Sequence, residues 1–152
     1  MPRPIIVSLF IAYLLLLFYL TLFAFPVHLP HSHALLNLIP FESIVSDVHA
    51  GGRRMLRNVL GNLAVFLPMG FFVPILKGPW TSASRVALVC MILSLAIETL
   101  QYDSGRRVAD IDDVLLNTLG GILGYAGFVG LRRGWSRGPI LPPAPRVRGR
   151  SS

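Results

Sequence analysis

The acidic residues of this chain are few, and most of them lie together. Of the seven Asp and Glu residues, five fall within residues 97–117, where two arginines accompany them. The members of this cluster are Glu98, Asp103, Asp110, Asp112, Asp113, Arg106 and Arg107. A carboxyl group can act as a general acid or base, paired aspartates can offer oxygen ligands to a divalent cation, and arginine grips a carboxylate or phosphate with a planar fork.

Spacing places several of these side chains on shared helix faces. Ser94, Glu98 and Gln101 are spaced i, i+4 and i+7, so they follow one face of a helix. Asn58 and Asn62 are four residues apart at the start of another predicted helix. Glu98 is the one candidate for a catalytic acid or base.

The second half of the cluster has its own spacing. Asp110, Asp113 and Asn117 are spaced i, i+3 and i+7, and they share a face if their helix begins near Val108. Asp112 falls about 100° from Asp113 around the helix and is expected to lie outside the site. The predicted ligand-binding residues are therefore Asn62, Glu98, Gln101, Asp110, Asp113 and Asn117, together with one of the two arginines, Arg106 or Arg107.

Four apolar runs must position these residues. They are residues 5–25, 59–76, 86–102 and 114–131, and Glu98 is the one charged residue in them. Each run approaches the roughly 20 residues that cross a hydrocarbon core. With 53% hydrophobic and 14% charged residues, the chain does not resemble a soluble domain, in which about 25% are charged. We predict an all-α polytopic membrane bundle of four transmembrane helices within residues 1–131.

Two alternatives to four spanning helices are disfavoured. The first run is longer than the apolar core of a cleaved signal peptide, and no small-residue cleavage site follows it. The other three runs would leave a soluble protein too little polar surface to cover them. Four crossings bring the start of helix two, the end of helix three and the start of helix four to one membrane face, so the candidate residues are expected at one level.

The loop over residues 26–58 carries its own pattern. It includes "NLIPFESI" at residues 37–44, an apolar-aromatic stretch broken by Pro40, and residues 43–56 mix apolar and polar residues around Gly51 and Gly52. We interpret residues 43–56 as an interfacial or re-entrant segment that could roof the polar site. His28, His31 and His33 precede it without a cysteine, so no metal site and no cofactor are expected.

The net charge of +7 comes mostly from the C-terminal tail. Residues 132–152 hold six arginines, four prolines and no acid, which predicts a disordered basic cytoplasmic tail that meets anionic lipid headgroups rather than nucleic acid. The membrane face shared by both termini and the loop between helices two and three carries nine Lys and Arg residues, against five on the other face. This excess places the termini in the cytoplasm and the polar site outside.

A set of helix-packing residues is expected beside the polar site. Gly120-x-x-x-Gly124 is a close-packing pattern of membrane helices, and Gly121 lies between its two ends. Pro68 frees the carbonyl of Ala64 and is expected to bend helix two near Gly70.

Four motifs together resemble the VanZ-like family of small bacterial membrane proteins. They are "NLIPF" at residues 37–41, "NLAVFLPMG" at 62–70, "IETLQ" at 97–101 and "GRRVADIDDVLLNTLGGILGY" at 105–125. The resemblance implies a multi-pass protein of the bacterial cytoplasmic membrane. It also implies which residues matter for the family's function, because they match the family's motif positions. These residues are Asn62, Pro68, Gly70, Glu98, Gln101, Arg107, Asp110, Asp113, Asn117 and Gly120. The family's named member is associated with low-level teicoplanin resistance, which the resemblance does not transfer to this chain.

Three functions remain open from the sequence. An outward-facing polar pocket could bind an envelope ligand, such as a lipid-linked cell-wall precursor, a lipid headgroup or a glycopeptide antibiotic. The same residues could form an intramembrane enzyme acting on such a lipid, with Asp110 and Asp113 holding a cation. They could instead form a structural knot of polar contacts with no ligand. An ion or proton pathway is the weakest hypothesis, because no acid lies deeper in the membrane. The oligomeric state is not predicted.

Overall fold

The computed structural model describes residues 3–23, 36–78, 81–104 and 109–136. In chain order these residues form helices α1 (Arg3–Leu22), α2 (Glu42–Ala50), α3 (Gly52–Lys77), α4 (Ala83–Ser104) and α5 (Ile111–Ser136). All except α2 are long and apolar enough to cross a membrane. The predicted all-α class with four spanning helices is confirmed.

Helix boundaries differ from the apolar runs at the charged ends. Helix α3 begins at Gly52 rather than residue 59, and its first part contains a π-helical stretch, Met55–Leu60. Helix α5 continues to Ser136, so the first residues of the predicted tail are helical, while residues 137–152 lie outside the described part. Long arginine side chains can reach the membrane surface from a helix end, so charge does not end these helices.

Two short strands, which the sequence did not predict, join the loops. β1 (Leu36–Asn37) pairs in parallel with β2 (Ala109–Asp110), which directly precedes α5. The pairing sets Leu36 opposite Ala109 and Asn37 opposite Asp110. It ties the segment before α2 to the segment before α5.

The predicted interfacial segment is divided by its glycines. Helix α2 ends at Ala50, and both Gly51 and Gly52 have positive φ angles, 60° and 50°, which glycine adopts without a steric penalty. The interpretation of residues 43–56 as one segment was therefore wrong at its second half, which is already part of α3.

Helices α3 and α5 approach most closely at glycines. A Cβ added to Gly120 would overlap the carbonyl oxygen of Leu63, and one added to Gly124 would overlap that of Leu67. On the α3 side, a Cβ at Gly70 would overlap the carbonyl of Gly121. The backbones touch because the side chains are missing, as in other membrane helix pairs.

Two further packing details concern α3 and α4. A Cβ at Gly121 would overlap Cys90 Sγ on α4, so this glycine admits a third helix. Helix α3 stays helical through Pro68 and Pro74, and the bend expected at Pro68 stays a prediction. The core between the helices is formed by Leu17, Phe66, Met69, Val73, Val86, Cys90 and Ile97.

Candidate functional site

The candidate residues gather at one end of the bundle. This end comprises the last turn of α1, the first half of α3, the last turns of α4, and β2 with the start of α5. Three amide side chains of the candidate set make helix-to-helix contacts there. Asn62 Nδ2 donates to Asp113 Oδ1 at 2.5 Å, Asn117 Nδ2 donates to Ser94 Oγ at 2.8 Å, and Gln101 Nε2 donates to the carbonyl of Thr21 at 2.8 Å. These contacts link α3 to α5, α4 to α5 and α1 to α4.

Two of these amides keep an acceptor atom without a partner. Within the described part of the chain, Gln101 Oε1 and Asn117 Oδ1 accept no hydrogen bond, although each side chain is only 3% exposed. A buried acceptor without a donor costs about 1–3 kcal/mol. The two oxygens are therefore unsatisfied acceptors buried between the helices at this end of the bundle.

Glu98 lies on the inner face of α4 beside β2. Its side chain is 6% exposed, and its Oε2 accepts a 2.8 Å hydrogen bond from the backbone N–H of Asp110. The carboxylate is thus held against the start of β2 rather than pointing freely into lipid.

Asp110 does not share a helix face with Asp113 and Asn117, and that expectation was wrong. It lies in β2, immediately before α5, and its Oδ1 accepts the N–H of Asp112 at 2.9 Å, as an N-cap residue does. Its Oδ2 accepts the Ser43 hydroxyl and the Asn37 amide, the latter at 3.4 Å. The helix begins later than Val108 because Asp110 caps it.

Asp112, expected to lie outside the site, was the largest error of the sequence interpretation. It is 1% exposed, and its two oxygens accept the N–H groups of Phe41 at 2.6 Å and Ile44 at 3.1 Å. Phe41 precedes α2 with a φ of 69°, so the start of α2 is capped by a residue from α5. Proximity of Asp112 to α2 is a tertiary contact, and no spacing in its own helix indicates it.

A second contact of α2 was also missed. Asp47, 9% exposed, accepts a 2.7 Å hydrogen bond from Asn58 Nδ2, while Asn58 Oδ1 accepts one from Arg57 Nε at 3.1 Å. The one signal of this contact in the sequence was the acidic residue itself, Asp47, which lies between Val45 and Val48.

Arg107, the predicted anion-holding residue, lies outside the described residues, as does Arg106. Within the described residues, no group of three His, Cys, Asp or Glu side chains is placed to hold a metal ion. Asp110 and Asp113 contact different partners, which gives the predicted cation pair no support.

An apolar groove opens beside Glu98 and Asp110. Its volume is about 390 Å³, within the roughly 300–1,000 Å³ of small-molecule sites. One wall consists of Leu95, Thr99 and Tyr102, at i, i+4 and i+7 on α4. The other walls include Leu36 and Leu38 beside β1, and Ile111 and Val114 on α5.

Comparison with known proteins assigns the family. A sequence model of the VanZ/LLP1 family matches residues 10–132, most of the chain. The chain belongs to this family. It is also 30% identical over 89 residues to Protein VanZ of Enterococcus faecium, an alignment that covers 59% of this chain and 49% of that protein. The chain thus spans about half the length of this relative, and no solved structure matches it.

In this VanZ/LLP1 protein the motifs that carried the resemblance meet in space. "NLIPF" contributes Asn37 and the backbone of Phe41, which contact Asp110 of β2 and Asp112 of α5, both in the "DIDD" stretch. "NLAVFLPMG" contributes Asn62, which contacts Asp113. "IETLQ" contributes Glu98. One contiguous site therefore includes residues from all four motifs.

Proposed function

We propose that this VanZ/LLP1 membrane protein binds an amphiphilic envelope ligand in the groove between β1, α4 and α5. The observation that carries the proposal is the groove itself, which has apolar walls and the carboxylates of Glu98 and Asp110 at its margin. An acyl or isoprenoid chain suits the walls, and a polar group suits the margin.

The groove is accessible from the surface that faces lipid. Leu38, Leu95 and Tyr102 are 63%, 45% and 46% exposed, so the α4 wall and the loop wall are open on their outer sides. A ligand dissolved in the bilayer can therefore enter sideways without first passing through water.

The polar group of the ligand has defined partners. Glu98 and Asp110 both line the groove. Asp110 accepts three hydrogen bonds and Glu98 accepts the Asp110 N–H, so a donor group of the ligand would join these existing contacts. The ligand candidates are a lipid-linked cell-wall precursor, a phospholipid headgroup and, from the family resemblance, a glycopeptide antibiotic.

A purely structural role is the second candidate, and a specific observation favours it. Asp110, Asp112 and Asp113 all accept hydrogen bonds that hold elements together. These three aspartates account for much of the acidic cluster without a ligand. The groove and the two acceptors without donors are what this alternative leaves unexplained.

One experiment separates binding, catalysis and a structural knot. The purified protein and Glu98→Gln are incubated in nanodiscs with undecaprenyl phosphate, a lipid-linked cell-wall precursor, phosphatidylglycerol or teicoplanin, with and without Mg²⁺. Saturable binding without product supports the proposal. Product formation lost in Glu98→Gln, while binding persists, supports an intramembrane enzyme. No saturable binding of any probe leaves the structural role.

A further inference from the structure

Helix α2 presents three different faces around its axis. At about 100° per residue, Ser43, Ile44 and Asp47 share one face, and these residues contact or lie toward α3 and α5. Val45 and Val48 lie about 60° apart on a second face, 50% and 47% exposed. The third face is exposed and polar, and consists of Glu42, Ser46 and His49.

This arrangement fits a helix that lies in the plane of the membrane surface. Such helices place an apolar face in the acyl region and a polar face in water. Phe41, at the start of α2, is 61% exposed and adds to the apolar side. The remaining face, with Ser43, Ile44 and Asp47, docks on the bundle, so α2 lies between lipid, water and protein.

The chain turns from α2 into α3 at a basic corner. Gly51 and Gly52 make the turn, and Arg53, Arg54 and Arg57 follow within the first two turns of α3, all exposed. Glu42 is the one exposed acid among described residues 36–60, because Asp47 is buried against Asn58. Below the arginines on the same helix, Leu56 and Leu60 are 64% and 43% exposed.

We propose that this corner binds an anionic phospholipid, with its phosphate on Arg53 and Arg54 and its acyl chains against Leu56, Leu60 and Val48. Arginine holds a phosphate through two parallel N–H donors. The placement also gives a role to the three arginines of this corner, which lie on the membrane face that the positive-inside pattern predicts to be poor in charge. The site is separate from the groove and does not depend on a ligand there.

The test measures which lipid lies beside α2. A fluorophore is attached at Ala50→Cys, which is exposed at the end of α2, with the unsubstituted protein as a blank because Cys90 is buried. Nanodiscs contain shallow-brominated phosphatidylglycerol or shallow-brominated phosphatidylcholine at equal mole fraction. The same label is attached to two further variants, and their quenching is compared with that of the parent. Arg53→Gln/Arg54→Gln removes two charges at the corner. Arg132→Gln/Arg133→Gln removes two charges near the C-terminal end of α5 and is the control.

The expected quenching favours phosphatidylglycerol by at least about 5-fold, since each nearby arginine contributes about that factor. The Arg53→Gln/Arg54→Gln pair is expected to lower the ratio several-fold, with Arg57 still in place, and the Arg132→Gln/Arg133→Gln pair to leave it unchanged. Arg53→Lys/Arg54→Lys, which keeps the charge, should retain most of the preference and controls for misfolding. Equal quenching by the two lipids, or an equal loss in both glutamine pairs, would overturn the proposal. A groove ligand that fails to bind leaves this result unaffected.

Discussion

The backbone N–H of Asp110 donates a 2.8 Å hydrogen bond to Glu98 Oε2, which joins the end of α4 to the start of α5. Glu98 is buried to 6% exposure at the margin of an apolar groove. A carboxylate in this position has two uses, because it anchors the hairpin and also faces the groove. Substitutions that keep or remove its acceptor oxygen separate these uses.

Glu98→Ala is expected to lower the free energy of unfolding by about 1–3 kcal/mol, because the Asp110 N–H loses its acceptor in a buried place. Glu98→Gln keeps an acceptor oxygen and should cost less. Unfolding in mixed micelles, followed by circular dichroism, measures both. An equal cost for the two variants would mean that the charge, rather than the hydrogen bond, holds the hairpin.

Gly120→Ala is expected to destabilise the bundle by about 1–3 kcal/mol, since the new methyl group forces the α3 and α5 backbones apart. Gly124→Ala should behave in the same way. Gly127→Ala is the matched control on the same helix, because a Cβ there meets nothing within 4 Å. Thermal unfolding in detergent measures the stability of all three variants. If Gly127→Ala destabilises the bundle as much as Gly120→Ala, close helix contact at the glycines is not the cause of the destabilisation.

Asp112→Asn is expected to loosen α2, because an amide can accept one of the two N–H groups of Phe41 and Ile44 but presents its NH₂ to the other. Hydrogen exchange of the α2 amides should accelerate by about 5- to 150-fold if the lost contact is worth about 1–3 kcal/mol. Asp103→Asn, an exposed acid at the end of α4, is the control and should leave the exchange unchanged. Unaltered α2 exchange in Asp112→Asn would contradict the capping role.

The proposed orientation is tested by cysteine labelling in intact cells. Ser104→Cys, exposed at the end of α4, should react with a membrane-impermeant reagent added outside. Ser84→Cys, exposed at the start of α4, should react only after lysis. The reverse labelling pattern would place both termini outside the cell and the groove on the cytoplasmic side.

The sequence was sufficient for the spanning helices and for the end of the bundle where polar residues gather. The length of an apolar run predicts a membrane-spanning helix directly. Because successive helices cross the membrane in alternate directions, α3 and α5 start on the same side, and Asn62 and Asp113 near their starts lie at the same depth. The contacts of Asp112 and Asp47 were not predicted, because their partners are backbone or side-chain groups remote along the chain. The pairing of β1 with β2 escaped because a two-residue strand leaves no periodicity to detect.

The groove is tested most directly by filling it. Thr99→Trp places a large side chain on the α4 wall, and Ile92→Trp places the same side chain two turns earlier on an exposed part of α4 outside the groove. Binding of the lipid-linked precursor, undecaprenyl phosphate, phosphatidylglycerol and teicoplanin is measured for both variants in nanodiscs. We predict that Thr99→Trp weakens the tightest of these interactions at least about tenfold, a loss of about 1.4 kcal/mol, while Ile92→Trp leaves it unchanged. Equal binding by a folded Thr99→Trp variant and the unsubstituted protein would contradict the assignment of the groove as the ligand site.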